Sequence, residues 1–243
     1  VDYDPVAATG KTLHYGDVSF TAARKKQLDN PFDTWHRLLD PTRGNSVVMN
    51  MNLQLASDNW SGQMYSGMDT VWGNNQDFTY SDSTWSPTGE TAAAEAMWGI
   101  RHTWDLLKNY FQRDSLNDDG MALIARVHAR KSDANVPYGD AFWNGVAAHF
   151  GDGTTDAATS MTGLKIIGHE YGHGLWGYLT EADTNSGETG GLNEGHSDIM
   201  GSLVDFFGRG TGGANLPDWP NPSWTWAWFG RALNPLAAGG KAY

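Results

Sequence analysis

The sequence predicts an α+β fold, β-rich in its first half and helical in its second. Two observations carry this reading. Apolar–polar alternation and turn signals mark the earlier part of the chain around one helix-like stretch at 92–111, and apolar residues three or four apart mark the later part. The 243 residues suffice for one large domain or two modest ones, each with its own core. The expected division is a β-rich region with one long helix over 1–160 and a helical region over 161–243.

Along the chain, Ser46 to Leu53 partly alternates apolar and polar residues, as a half-buried strand does. Turn signals surround it at Asn30-Pro31, Asp40-Pro41, Arg43-Gly44-Asn45 and Trp72-Gly73-Asn74-Asn75. Ala92 to Phe111 reads as a helix with Ala96, Met97, Ile100, Trp104, Leu107 and Phe111 on one face. Asn117-Asp118-Asp119-Gly120 is a turn, and Met121 to His128 a second strand. After a glycine-rich connection over 150–155, a helix is expected from Thr162 to Leu179. It carries Gly168, Gly172, Gly174 and Gly177, each costing about 1 kcal/mol relative to Ala, which predicts close packing on several sides. Asp183 to Gly191 reads as a loop. A last helix, Leu192 to Phe207, has Ile199, Leu203, Phe206 and Phe207 as its expected apolar face. The tail from Gly208 is rich in Gly, Pro and Trp and reads as irregular.

Composition narrows the function. A net charge of −12 repels a phosphate backbone or an anionic bilayer, so neither nucleic acid nor a membrane is an expected partner. Arg24-Lys25-Lys26 is the densest basic run and reads as a solvated face. No cysteine is present, which excludes disulfides, thiol catalysis and thiolate-ligated zinc. No apolar run is long enough to span a bilayer. Val1, in place of an initiator Met, reads as the start of a processed chain.

One constellation carries chemistry. His169-Glu170-Tyr171-Gly172-His173 is an H-E-x-x-H motif within the expected helix. Residues four apart share a helix face, so both imidazoles can reach one metal ion. Glu170 sits about 100° further round the helix and can reach a water that zinc acidifies to a pKa of about 7. It can take the proton of that water and pass it to a leaving amine. A third protein ligand is required, and Glu194 on the next helix is the candidate. Asp198, four residues on, and Asn193 are expected to orient the two ligand imidazoles through their other ring nitrogens.

At these residues the chain resembles the thermolysin-like gluzincin metallopeptidases. The resemblance extends to Leu38-Leu39-Asp40-Pro41-Thr42-Arg43-Gly44, Thr103 to Asn109, Asp140-Ala141-Phe142-Trp143-Asn144-Gly145, Gly151-Asp152-Gly153 and Gly191-Leu192-Asn193-Glu194 with Ser197-Asp198-Ile199, together covering most of positions 10 to 210. It implies a zincin-like architecture: a β-rich N-terminal domain, a central zinc-binding helix at the cleft floor, and a helical C-terminal domain that this chain carries only in truncated form. It implies a secreted, extracellular endopeptidase made as a precursor, usually cutting before a bulky apolar residue. Peptide or protein substrates are the expected partners, with the propeptide or a separate C-terminal fragment as others. The edge strand with Asp140, Ala141 and Trp143 would pair with extended substrate, Ala141 offering its carbonyl. Arg231 resembles the family's substrate-carbonyl arginine.

Departures qualify that expectation. The family's oxyanion-stabilising histidine has no counterpart before Tyr243, and the loop Glu181 to Asn185 lacks the family's tyrosine. Ala157 and Ser160 replace larger pocket residues, while Ile166 keeps one apolar wall and Trp224, Trp226 and Trp228 stand near Arg231 in sequence. Calcium sites look depleted: Lys165 stands where relatives carry an acid, with Asp205 and Asp218 as its expected partners, and Asn74, Asn75 and Gln76 replace acidic ligands. A zinc-dependent endopeptidase is therefore the leading expectation. A zinc-containing peptide-binding module, or an inactive remnant, is the alternative. An aminopeptidase would need an amine-capturing motif that the sequence does not display.

Overall fold

The computed structural model describes residues 3–25, 35–55, 61–131, 138–154, 160–180 and 186–209. The Asn30-Pro31 turn, Ala157, the loop 181–185, Asp218, Trp224, Trp226, Trp228 and Arg231 lie outside the described residues. The α+β expectation holds: two mixed sheets occupy the first part of the chain and three helices cross behind them.

A hairpin of β1 (Tyr3–Thr12) and β2 (Gly16–Lys25) opens the structure, followed by the short strands β3 (His36–Arg37) and β4 (Leu39–Asp40). Strand β5 (Ser46–Asn50) is buried on both faces, which explains why its alternation is only partial. Strands β6 (Gln63–Met64), β7 (Ser66–Gly67) and β8 (Val71–Gly73) lead to helix α1 (Pro87–Tyr110). Then come β9 (Ile124–Val127), β10 (Ala141–Trp143), β11 (Ala148–Phe150) and helices α2 (Leu164–Leu179) and α3 (Gly187–Arg209). One sheet runs β7-β3-β2-β1-β8. The other runs β10-β11-β9-β5-β4, with β6 also paired to β5. Strand β10 is thus an edge strand among the described residues.

Helix α1 starts earlier than apolar spacing suggests. Ser86 caps it by accepting from Gly89 N at 3.2 Å, and Pro87 supplies a pre-set first-turn dihedral. Ala96, Met97, Ile100, Trp104 and Leu107 are buried as their spacing predicts, whereas Phe111 is exposed at the helix end. The alanines over 92–96 let α1 lie close to β1, β5, β8 and β9, while its other side meets α2 and α3. Gly99 sits under α2, where an added Cβ would fall 2.4 Å from Ile167 Cδ1.

Helices α2 and α3 cross closely because small residues line the crossing. A Cβ on Gly168 would fall 2.7 Å from Val204 Cβ, one on Gly172 2.7 Å from Ser197 Cα, and one on Gly201 2.4 Å from Lys165 O. Gly174 leaves room for the Trp143 indole, whereas Gly177 faces open space, so only three of the four α2 glycines serve packing. Two expectations for α3 are corrected. The helix begins at Gly187 rather than Leu192, its glycine-rich first turn lining the cleft described below. Its buried face is Asn193, Ser197, Asp198, Met200, Gly201 and Val204, while Ile199 and Phe206 are exposed. That face must be narrow to approach α2 and polar to reach imidazoles, so hydrophobicity alone misassigns it.

Candidate metal centre

His169 and His173 lie one turn apart on α2, their rings 4.6 Å apart and nearly perpendicular. Across the crossing, Glu194 on α3 reaches both: Oε2 is 3.4 Å from His169 Nε2 and Oε1 3.8 Å from His173 Nε2. One donor atom from each of the three residues lies within 4.8 Å of the others. Zinc bonds of about 2.0–2.1 Å in a tetrahedron put ligand atoms about 3.4 Å apart, so this set fits zinc with small adjustments. The Glu194 side chain is 58% exposed because it stands at the open mouth of the cleft, yet its carboxylate faces the imidazoles.

The remaining imidazole nitrogens are occupied. His169 Nδ1 lies 3.0 Å from Asp198 Oδ1, and His173 Nδ1 lies 3.0 Å from Asn193 Oδ1. Ser197 Oγ adds a contact at 3.1 Å to the same nitrogen of His173. Asp198 at one Nδ1, and Asn193 with Ser197 at the other, turn both Nε2 atoms toward Glu194, the orientation that metal ligation needs. Ser197 was not singled out by its residue type. Its signal is positional, four residues after Asn193 on the face that meets α2.

Charges follow the geometry. Burial lowers the affinity of His169 for a proton, but Asp198 and Glu194 outweigh it and bring the imidazole up to about 9. Burial, then the neighbouring His169, lowers His173. The hydrogen bond with His169 holds Glu194 below the usual carboxylate range. Glu170 is fully buried on the cleft floor, and burial pushes its carboxyl up to about 8, His169 opposing and Asp140 and Glu194 reinforcing the rise. Its Oε2 has no hydrogen-bond partner among the described residues, and Glu170 shares the cleft lining with the three ligand residues.

The cleft has a volume of about 1140 Å³, and Asp140, Ala141 and Trp143 line it together with His169, Glu170, His173, Asn193 and Glu194. The hairpin β10–β11 turns at Asn144-Gly145, where Gly145 takes φ +94° and Asn144 Oδ1 accepts from Val146 N and Ala147 N at 3.0 and 2.9 Å. Trp143 packs against Tyr171 of α2, ring centres 6.1 Å apart. The backbone of Ala141 is already engaged: its N–H donates to Asp140 Oδ1 at 2.9 Å, and its carbonyl accepts from Tyr138 Oη at 3.4 Å. Tyr138 carries no sequence signal that marks it as a neighbour of that carbonyl.

Around the expected calcium positions, protein groups hold one another. Asp198 and Asp205 act on the Lys165 ammonium, though burial still lowers it to about 8. Arg209 Nε donates to Asp205 Oδ1 at 2.8 Å. Asn74 bonds with Thr91, Thr88 and Gln76.

An H-E-x-x-H helix crossed by a carboxylate-bearing helix, at the edge of a mixed sheet, is the arrangement of a zincin-type metal site. The chain belongs to the thermolysin metallopeptidase family, whose catalytic-domain model matches residues 7–177. That stretch includes His169, Glu170 and His173. Glu194 lies beyond it, and its assignment rests on the distances above. The chain is 31% identical over 201 residues to a transglutaminase-activating metalloprotease of Streptomyces mobaraensis, covering 82% of this chain and 23% of that protein. It is 36% identical over 142 residues to a bacillolysin of Bacillus cereus, covering 57% of this chain and 23% of the relative. Among solved structures, the precursor of protealysin, a metalloproteinase from Serratia proteamaculans, aligns with a TM-score of 0.48 at 27% identity, over 65% of this chain and 42% of the other. The chain therefore spans about a quarter of the length of these two curated relatives. No helix among the described residues is long and apolar enough to cross a membrane.

Proposed function

We propose that this chain forms the zinc-bearing part of a secreted endopeptidase that hydrolyses peptide bonds with Glu170 as general base. The observation that carries the reading is the convergence of His169, His173 and Glu194 in a cleft that Glu170 also lines, its buried Oε2 without a hydrogen-bond partner among the described residues. Zinc at this site supplies Lewis acidity, polarising a peptide carbonyl and acidifying water. Glu170 takes a proton from the attacking water and delivers it to the leaving amine nitrogen. Asp198, Asn193 and Ser197 keep the imidazoles turned for ligation throughout. Asp140, Ala141 and Trp143 line the peptide path.

Arg231 is assigned to the substrate carbonyl on resemblance alone. The 1–160 and 161–243 division, and the propeptide or a C-terminal fragment as partner, belong to the same proposal. Calcium is assigned a minor role, because Lys165, Arg209 and the Asn74 amide network already supply charge and hydrogen bonds where cations are expected.

The test is peptide hydrolysis by the zinc-loaded chain, compared with Glu170→Gln. Loss of at least about a hundredfold in kcat with zinc content unchanged is expected, the scale of general-base catalysis. Equal, zero turnover in both proteins would favour the alternative, a zinc-containing peptide-binding module.

A further inference from the structure

We infer that Lys131 and Phe142 form a subsite that takes an acidic side chain of an extended peptide, at the substrate residue in register with Phe142. This rests on the peptide-hydrolase reading above and adds a specificity to it.

The register of β10 supplies the first step. Gly151 N donates to Asp140 O at 3.0 Å, so the ladder to β11 runs through Asp140 and, two residues on, Phe142. The backbone groups of Ala141 and Trp143 then face the open edge, where an added strand would pair. Side chains alternate across the sheet. Trp143 packs toward α2, so Phe142 projects from the opposite face. An added strand places one residue directly opposite Phe142, in the closely spaced type of pair, with its side chain on that same face.

That face is prepared for a carboxylate. The Phe142 ring stacks on His149, centres 4.5 Å apart and planes 5° from parallel. His149 is fully buried and fixed at both nitrogens: Arg126 Nη1 donates to its Nε2 at 3.0 Å, and its Nδ1–H donates to Ala147 O at 3.1 Å. Burial and then the Arg126 charge keep this imidazole neutral, lowering it to about 4. Phe142 therefore has a rigid, uncharged backing. Above its ring, Lys131 Nζ lies 5.2 Å from the centroid, a cation held by an aromatic face.

Lys131 is exposed and lines the cleft, and it is the one lysine or arginine among the described residues that do so. The acidic side chains there are Asp140, Glu170 and Glu194. A glutamate side chain opposite Phe142 can lay its methylenes on the ring and its carboxylate against the ammonium. A lysine or arginine in that position meets like charge. Lys131 is thus a specificity residue, acting on which peptide docks rather than on the bond that breaks.

The experiment profiles cleavage of a mixed peptide pool by the zinc-loaded full chain, by Lys131→Met and by Lys131→Glu. Wild type should enrich Glu and Asp at one position by about fivefold in kcat/KM, near the upper end for an exposed ion pair. Lys131→Met should lose that enrichment, and Lys131→Glu should turn it toward Lys and Arg at the same position only. Raised ionic strength should shrink the preference. Identical profiles for all three proteins would overturn the subsite. If wild type cleaves nothing, the endopeptidase reading fails separately. Fluorescence anisotropy with labelled peptides differing only by Glu or Lys then reads the subsite alone. Discrimination that Lys131→Glu reverses sustains it, and equal affinities overturn it.

Discussion

The helix crossing that holds the imidazoles and the strand edge that faces them across the cleft are built on different principles. At the crossing, glycines close the gap between α2 and α3, and each ligand imidazole is fixed through Nδ1 by a residue of α3. At the edge, three residues of β10 present a backbone whose Ala141 groups are engaged, among the described residues, by Asp140 and by a long bond from Tyr138. The difference matches the tasks. Ligands must be in place before an ion arrives, whereas a peptide-pairing edge must exchange temporary partners for those of its substrate. Change should therefore be felt sharply at the crossing and mildly at the edge.

The largest effect is expected from Gly172→Val. Its added Cβ would fall 2.7 Å from Ser197 Cα, a backbone atom that can yield only if α3 moves. Destabilisation of about 3 kcal/mol, the upper range for overpacking, should appear in chemical denaturation, together with loss of bound zinc. Retention of both would break the comparison.

Asp198→Ala should weaken zinc affinity by about 10–100-fold, the usual effect of deleting the group that orients a ligand histidine. Competition against a chelating dye measures it. Asp140→Ala, on the edge, should leave that affinity unaltered.

A smaller effect lies behind the crossing, at His102. Its ring is buried between Trp98 and Phe207, with neither nitrogen hydrogen-bonded among the described residues. Burial, then Arg101, lowers it to about 4, with Asp105 opposing and Arg43 reinforcing. The ordinary imidazole value is about 6.5. Between the two values the unfolded chain binds more protons, so this group removes stability as pH falls through that window. His102→Phe should gain on wild type by about 3 kcal/mol between pH 7 and pH 4, read as the difference between two sets of unfolding curves. A pH-independent gap would contradict the sign.

The smallest effect is expected at Gly177, on the same helix as Gly172 but facing open space. Gly177→Ala should raise stability by up to about 1 kcal/mol through helix propensity alone. Opposite signs at two glycines of one helix would sharpen the contrast between its packed and open faces.

What the sequence revealed follows the same divide. The donor set was legible because helix geometry fixes the four-residue spacing of His169 and His173, and a second acidic position on the next helix completes a known coordination number. The α+β character was legible from periodicity. The burial of α3 was not, because its inner face trades apolar bulk for glycine, serine and carboxylate, a pattern that a hydrophobic-face rule reads as solvent-exposed. The start of α1 at Ser86-Pro87 was signalled by a cap, not by apolar spacing. Around β10, Tyr138, His149 and Lys131 acquire meaning only through strand register and contacts between segments distant in sequence, which no local pattern encodes.

The most direct measurement is calorimetric titration of chelator-stripped protein with zinc, for wild type, Glu170→Gln and Glu194→Ala. Three-residue ligation predicts tight binding of a single zinc ion by the first two proteins and its loss in Glu194→Ala. Absence of zinc binding by wild type, or undiminished affinity in Glu194→Ala, would contradict it.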